Sequence, residues 1–129
     1  MPRTDTNPDE LHPAPGFSHV TEAHGSRTVH LAGQVALAPD FGIVGGDDLF
    51  AQTVAAMRNV EIALRAAGGG WDDVVRRTIY TLHPTEYETI TRAIDEVTGG
   101  AAHPAQTIVG VTGLAVEGLL IEIECTASI

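Results

Sequence analysis

The apolar residues of this chain recur with two different periods, and the order of those periods restricts the fold. Between Arg27 and Ala36 apolar and polar residues alternate, and the alternation returns in the segment LLIEIECTA near the C-terminus. A period of two is typical of β-strands. From Asp47 onwards the apolar residues recur at steps of three and four, as on one face of an amphipathic helix: Phe50, Val54, Met57, Val60, Leu64 and Ala67.

Capping residues mark the ends of this helix. Asp47 or Asp48 is expected to cap its start, and Gly68 to end it. The next segment, VVRRTIYTL, is rich in β-branched and aromatic residues. It predicts a strand that ends at His83 and Pro84.

A second helix is predicted after this strand. Thr85 and Glu88 form a capping box at its start, and Gly99 and Gly100 stop it. Its buried stripe consists of Tyr87, Ile90, Ile94 and Val97. Two further strands, QTIVGV and LLIEIECTA, are separated by a loop that contains glycines.

The N-terminal residues show no periodicity. Residues 1–15 are polar and rich in proline, which predicts a flexible arm preceding one domain of residues 16–129. The stretch from Phe17 to Ala23 is expected to pair with the strand at 27–36 as a hairpin, with His24, Gly25 and Ser26 in the turn.

The predicted order is strand, strand, helix, strand, helix, strand, strand. Two helices with one apolar stripe each are expected to pack on a single face of one sheet, giving an α+β fold. In the last strand, Leu120, Glu122 and Glu124 share the face opposite Ile121 and Ile123. A partly polar face of this kind suits a subunit interface with clefts.

Composition and charge exclude several classes of protein. Seventeen acidic residues face seven arginines and no lysine, a formal charge of −10, which argues against nucleic-acid binding. No apolar run approaches the roughly 20 residues of a membrane span, and no signal peptide is visible, so a cytoplasmic location is expected. Cys125 is expected to be an inert strand residue, and the histidine spacing predicts no metal site.

Four segments match one family in order and spacing. They are PGFSH at 15–19, AGQVA at 32–36, the set AQT, Asn59, AAG and DDVV between 51 and 75, and IEIE at 121–124. They resemble G-P-Y-S-Q, S-G-Q-I-P, A-Q-T…N…A-A-G…D-D-V-V and I-E-I-E of the RidA/YjgF family of reactive-intermediate deaminases. The resemblance covers the chain from about Phe17 to Ser128.

This resemblance implies a chorismate-mutase-like α+β domain that forms a homotrimer with clefts between neighbouring subunits. Typical members hydrolyse 2-aminoacrylate and related enamines or imines to 2-keto acids and ammonia in these clefts, without a metal or organic cofactor. The reaction needs a positioned water molecule and a group that moves protons, while an arginine holds the substrate carboxylate.

Two residues decide how far this activity carries over. Glu122 matches the family's acidic residue and could orient or deprotonate the water; alternatively it is a solvated or salt-bridged strand residue. Gln106 stands where the family's P-A-R-[ST] motif has arginine. A glutamine amide offers neutral donors in place of a charged fork, so carboxylate binding is expected to be weaker. The pattern does not show another arginine taking over, because it does not assign a face of their strand or helix to Arg76, Arg77 or Arg92.

Four further residues are candidates for the cleft through the same resemblance. Gly33 is either a cleft-floor residue or a strand glycine at a bulge. Phe17 replaces a tyrosine of the cleft wall, and His19 replaces a glutamine beside it. Thr91 stands where many relatives have asparagine on the second helix.

The leading hypothesis is a cofactor-independent hydrolytic deaminase of a small imine or enamine metabolite that does not depend on carboxylate binding. The alternative, from another class, is a trimeric small-ligand-binding or interaction protein of the same fold without activity. Relatives have also been labelled endoribonucleases or translation inhibitors, but the formal charge of −10 without a lysine argues against that function here. Neither the substrate nor the pathway follows from the sequence.

Overall fold

Two helices lie against one face of a four-stranded mixed sheet in the computed structural model, which describes residues 3–129. The predicted α+β class is therefore confirmed. The elements are β1 (Arg3–Thr6), β2 (Val20–Ala23), β3 (Thr28–Val35), α1 (Leu49–Ala66), a 3₁₀ turn (Trp71–Asp73), β4 (Val74–Thr81), α2 (Tyr87–Thr98), β5 (Ala105–Gly110) and β6 (Ile121–Ser128). Within residues 3–129, neither helix has the length and apolarity needed to cross a membrane.

The strand order of the main sheet is β3-β6-β4-β5. β6 runs antiparallel to both of its neighbours, whereas β4 and β5 are parallel and are connected through α2. Residues directly opposite one another in adjacent strands share a face. We call the face covered by α1 and α2 the helix face, which carries Arg77, Ile79 and Ile123, and the other face the open face, which carries Thr78, Glu122 and Glu124.

The core lies between the helices and the helix face. The alternation predicted for β6 is confirmed, because Ile121, Ile123 and Cys125 are buried while Glu122 and Glu124 are half-buried. The buried cluster consists of Leu49, Ala56, Met57, Val60, Leu64, Val74, Ile79, Ile90, Ile94, Ile121, Ile123, Cys125 and Ala127.

The first helix begins and ends close to where the sequence predicts. Asp48 caps it by accepting hydrogen bonds from the backbone N–H groups of Phe50 and Ala51. Its buried face is rotated relative to the apolar stripe, because Gln52 is fully buried while Phe50 is only partly so. The Gln52 amide donates to the carbonyls of Gly46 and Gly118 and accepts from the Leu120 N–H. A polar side chain with all its groups bonded can occupy the core at little cost.

The second helix lacks the predicted capping box. Its N-cap is Glu86, whose side chain makes no capping hydrogen bond, and Thr85 lies outside the helix. The prediction of the C-terminal end is correct, since Gly99 takes a left-handed conformation (φ 71°) and its N–H donates to the Asp95 carbonyl. Glycine adopts that conformation without the Cβ strain of other residues.

The N-terminal segment departs from the prediction in two ways. Arg3–Thr6 form β1 within the region expected to be a flexible arm, and Arg3 is buried with 5% exposure. The predicted hairpin of β2 with β3 is wrong, because β2 pairs with β1 and β3 pairs with β6. β2 has no buried side chain that would hold it on the main sheet, whereas β6 supplies a continuous apolar face.

Candidate functional site

An open pocket of about 540 Å³ lies between the N-terminal segment, the start of α2 and β5. Three of the side chains expected at a cleft, Phe17, Thr91 and Gln106, line it. The other lining residues are His12, Pro13, Pro15, Pro84, Tyr87 and Ile108. This pocket brings together residues that are far apart in the chain, and most of its wall is apolar or neutral.

The segment expected to be a flexible arm forms one wall of the pocket. Ser18 holds this segment against the strand that carries Gln106, because its N–H donates to the Pro104 carbonyl (3.0 Å) and its hydroxyl to the His103 carbonyl (2.6 Å). Gly16 lies directly against Thr91, so that a Cβ at Gly16 would come within 2.5 Å of the Thr91 hydroxyl. The segment and α2 therefore meet at the pocket.

His19 stands behind this wall. Its ring packs edge-on against Phe17, with centroids 5.1 Å apart, and against His12 at 4.7 Å. A ring nitrogen, Nε2, lies 2.8 Å from the His12 carbonyl oxygen, which requires a proton on that nitrogen. His19 thus supports two lining residues and does not itself line the pocket.

Gln106 is bonded to a buried arginine that the sequence did not single out. Arg77 lies opposite Gln106 across the parallel pairing of β4 and β5 and is 3% exposed. Its Nε donates to Gln106 Oε1, and its Nη2 donates to the Gly16 carbonyl at 3.1 Å. Arg77 therefore connects the strand, the glutamine amide and the wall segment.

A histidine and an aspartate continue this chain of contacts. Arg77 Nη2 lies 3.0 Å from His103 Nδ1, and His103 Nε2 lies 3.0 Å from Asp95 Oδ1 on α2. Because arginine can only donate, Nδ1 must be the acceptor and Nε2 carries the proton. Burial, followed by the positive charge of Arg77, lowers the pKa of His103 below its ordinary value, although Asp95 opposes this. The imidazole is therefore neutral at pH 7.

Arg77 remains charged in this setting. Its burial lowers the pKa of the guanidinium to about 10, and nearby Arg3 also lowers it, whereas Cys125 and Asp95 act in the opposite direction. A pKa of about 10 leaves the group protonated at pH 7. A positive charge thus lies directly behind Gln106, without lining the pocket itself.

Glu122 and Gly33 meet on the open face of the sheet. An unbroken alternation along β3 would place Gly33 on the same face as Val29 and Leu31, but a shift of register between Leu31 and Gln34 turns it toward Glu122. A Cβ at Gly33 would lie 2.0 Å from Glu122 Oε2 and 2.8 Å from its Cγ, so the carboxylate occupies the space that the missing side chain leaves. Gly33 is thus both a bulge residue and the floor beneath the Glu122 carboxylate.

Glu124 is engaged by a neighbouring strand. It accepts a hydrogen bond of 2.6 Å from the Tyr80 hydroxyl, and this bond is the largest cause of the raised pKa of Tyr80. Arg76, also on this side of the sheet, donates to the Thr107 hydroxyl. The open face therefore carries two hydrogen-bonded side-chain pairs, Tyr80 with Glu124 and Arg76 with Thr107.

One chain does not unite all the expected site residues. Gln106 shares the helix face with Arg77, whereas Glu122 lies on the open face opposite Tyr80. The sheet separates the two groups. Among residues 3–129, no group of three or more His, Cys, Asp or Glu side chains is placed to hold a metal ion.

The sequence reasoning left the face of Arg77 unassigned and gave His103 no role. The sequence did contain a signal for Arg77. It lies at the same phase of the alternation in β4 as Ile79 and Thr81 and so shares their buried face. An arginine on the apolar phase of a central strand must be bonded to several acceptors. No comparable signal marks His103, which precedes β5 in a loop.

Comparison with known proteins agrees with the four sequence landmarks. The family model described as Endoribonuclease L-PSP matches residues 7–129. A RutC family protein of Synechocystis is 30% identical over 97 residues, 74% of each chain. The crystal structure of the Rid family protein YyfB from Yersinia pestis superposes with a TM-score of 0.93 at 41% identity over the whole of both chains. That of Rv2704 from Mycobacterium tuberculosis, a member of the YjgF/YER057c/UK114 family, gives 0.67 at 34% identity, covering 98% of this chain and 99% of the other. The chain therefore belongs to the RidA/YjgF family.

Proposed function

We propose that this protein is a cofactor-independent hydrolytic deaminase of a small imine or enamine, working as a homotrimer with an altered specificity. The observation that carries the proposal is the pocket itself, which is lined by Phe17, Thr91 and Gln106, three of the residues that the resemblance suggests for a cleft. Family membership supports the reaction class, and the replacement of arginine by Gln106 supports the change in specificity.

The reaction adds water across a C=N bond. Water attacks the imine carbon and loses a proton, the nitrogen gains protons, and the C–N bond then breaks to leave a carbonyl compound and ammonia. Glu122 is the residue proposed to accept the proton of the water and to return it to the nitrogen. Its support is the match to the family's acid and the free space above Gly33, in which the carboxylate lies.

A second subunit is needed to complete such a site. Because Gln106 and Glu122 lie on opposite faces of one sheet, a water activated by Glu122 cannot reach a ligand beside Gln106 of the same chain. A neighbouring copy that packs its open face near the pocket would supply Glu122. The hydrogen-bonded pair of Tyr80 and Glu124 on that face supports a contact surface over a solvated one.

The change from arginine to Gln106 predicts weak turnover of 2-aminoacrylate-type imines. These substrates carry a carboxylate, which a guanidinium binds through two charge-assisted hydrogen bonds. The loss of one such contact costs roughly 1.5 to 3 kcal/mol. The formal charge of −10 further disfavours an anionic substrate.

The test is a pair of matched substitutions assayed on imines with and without a carboxylate. Glu122→Gln keeps the side-chain volume but removes the base, so hydrolysis should fall by roughly a hundred- to ten-thousand-fold with little change in melting temperature. Glu124→Gln, the control on the same face, should cost little. Wild-type turnover by Glu122→Gln would assign the proton transfer to another residue. If no imine is hydrolysed by the wild type, the binding-protein alternative replaces the deaminase.

A further inference from the structure

The Gln106 amide has one orientation available to it. Its partner Arg77 has donors only, so the oxygen of the amide must face the guanidinium and the nitrogen must face away. Gln106 lines the pocket, and among residues 3–129 its Nε2 has no hydrogen-bond partner. Both N–H groups of the amide are therefore available to a ligand.

Arg77 is itself held in place from three sides. Besides Gln106, it contacts the Gly16 carbonyl and His103 Nδ1, and His103 is bonded to Asp95. A buried guanidinium with fixed partners cannot follow a ligand into the pocket. It acts on the pocket through Gln106, by fixing the amide and by withdrawing electron density from its oxygen, which makes the N–H groups stronger donors.

The pocket wall contains no acidic side chain, no lysine and no arginine among its nine lining residues. A carboxylate that entered would exchange hydration for the neutral N–H groups of Gln106, because Arg77 lies behind them with its own donors engaged, whereas a carbonyl oxygen has much less hydration to lose. The formal charge of −10 also disfavours the approach of a carboxylate relative to an uncharged ligand.

We propose that Arg77 is a positioning residue that presents the Gln106 N–H groups to the pocket, and that the pocket consequently binds an uncharged molecule through a carbonyl-type oxygen in preference to a carboxylate. This inference rests on the proposed function in taking the pocket as the ligand site. It names the substrate class, an imine whose carboxyl group is replaced by an amide or another neutral acceptor.

The experiment compares butanamide with butanoate, which have the same carbon skeleton and differ in charge at pH 7. Each is titrated into the ¹⁵N-labelled full-length protein, and NMR follows the side-chain NH₂ signal of Gln106 together with the backbone amide signals of Thr91 and Ile108, which line the same pocket and remain in every variant. The Gln106 signal is assigned by its absence in Gln106→Glu. Butanamide should shift it with an affinity about tenfold or more above that of butanoate. Equal or tighter binding of butanoate, or no shift with either compound, would overturn the proposal.

Two variants separate positioning from a structural role. Gln106→Glu keeps the shape and the bond to Arg77 but loses both donors, so butanamide binding should disappear while the protein stays folded. The exchange Arg77→Gln with Gln106→Arg keeps an arginine–glutamine pair and moves the cation to the pocket, so the preference should reverse in favour of butanoate. A merely structural Arg77 would not produce that reversal. The exposed neighbour serves as control, because Arg76→Met should leave both affinities unchanged.

These readouts measure binding and do not depend on turnover. An unchanged butanamide affinity in Gln106→Glu contradicts the role of the amide, whatever Glu122 does. Conversely, the protein could bind butanamide selectively and yet hydrolyse no imine. That result would support the proposed ligand preference and contradict the deaminase function.

Discussion

A second arginine at position 106 would stand against Arg77 with no acceptor between the two guanidinium groups. In the native chain Gln106 Oε1 takes the Nε–H of Arg77, which is 3% exposed. Replacing Gln106 by the family's arginine therefore also removes the hydrogen bond to Arg77, a consequence that the sequence does not reveal.

We predict that Gln106→Arg alone lowers the free energy of unfolding by on the order of 1 to 3 kcal/mol, because it leaves a buried donor unpaired and adds a like charge beside it. Urea denaturation at a fixed protein concentration measures the loss. The exchange with Arg77→Gln should recover most of it. The family pattern predicts that an arginine at position 106 raises 2-aminoacrylate hydrolysis. This gain should appear in the double variant, in which Gln106→Arg is combined with Arg77→Gln. A single variant as stable as the wild type would contradict this account of the pair.

His103 makes the stability of the fold depend on pH. Its lowered pKa means that the unfolded chain binds a proton more readily than the folded one. The stabilising contribution is complete above pH 6.5, the ordinary pKa of histidine, and is lost as the pH falls below that value. Protonation would also set an N–H of the ring against Arg77 Nη2.

We predict that the wild type loses more stability between pH 7.5 and pH 5.5 than His103→Gln does. Urea midpoints at the two pH values measure both losses, and the difference between wild type and variant isolates His103 from the other titrating groups. Equal losses in the two proteins would show that His103 is not the group responsible.

At the scale of elements, the sequence predicted what each segment becomes better than how the segments pair. The strands β3 to β6 and both helices follow from hydrophobic period and from glycines at helix ends. The pairing of β3 with β6 does not follow from the sequence, because it joins segments that are far apart in the chain and depends on which apolar faces remain uncovered. The strand β1 could not be predicted either, because its only buried side chain is that of Arg3, and an arginine gives no apolar period.

Arg3 tests whether β1 is part of the folded unit. Its guanidinium donates to the carbonyls of Trp71, Val74 and Ala102 and lies 3.2 Å from the Asp5 carboxylate. Arg3→Met keeps the apolar stem but leaves these acceptors without a partner, so we predict a loss of about 1 to 3 kcal/mol in the free energy of unfolding.

The control is Arg65→Met on α1. Arg65 also pairs with an acid, Glu61 at 3.1 Å, but its side chain is 74% exposed. Exposed pairs of this kind contribute about 0.5 kcal/mol or less. Equal losses for Arg3→Met and Arg65→Met, measured by the same urea titration, would mean that β1 does not stabilise the domain.

At the scale of the whole molecule, the sequence predicted candidate residues for a site but not their arrangement. The family landmarks pointed to Phe17, His19, Gly33, Thr91, Gln106 and Glu122. The structure divides these residues between a pocket on one side of the sheet and a carboxylate on the other. A period of two along a strand tells which residues share a face. A bulge such as that at Gly33 moves the following residues to the opposite face, and a contact with another subunit produces no periodic pattern in the sequence.

The proposed site therefore requires assembly, and light scattering should give a mass of about three times 13.5 kDa. The most direct test mixes two inactive variants, Glu122→Gln and Gln106→Glu, by unfolding and refolding them together. Each variant alone lacks one half of every site. If Gln106 of one subunit works with Glu122 of its neighbour, random mixing should restore about one quarter of the wild-type imine hydrolysis. A mixture as inactive as its two parents would contradict a site shared between subunits.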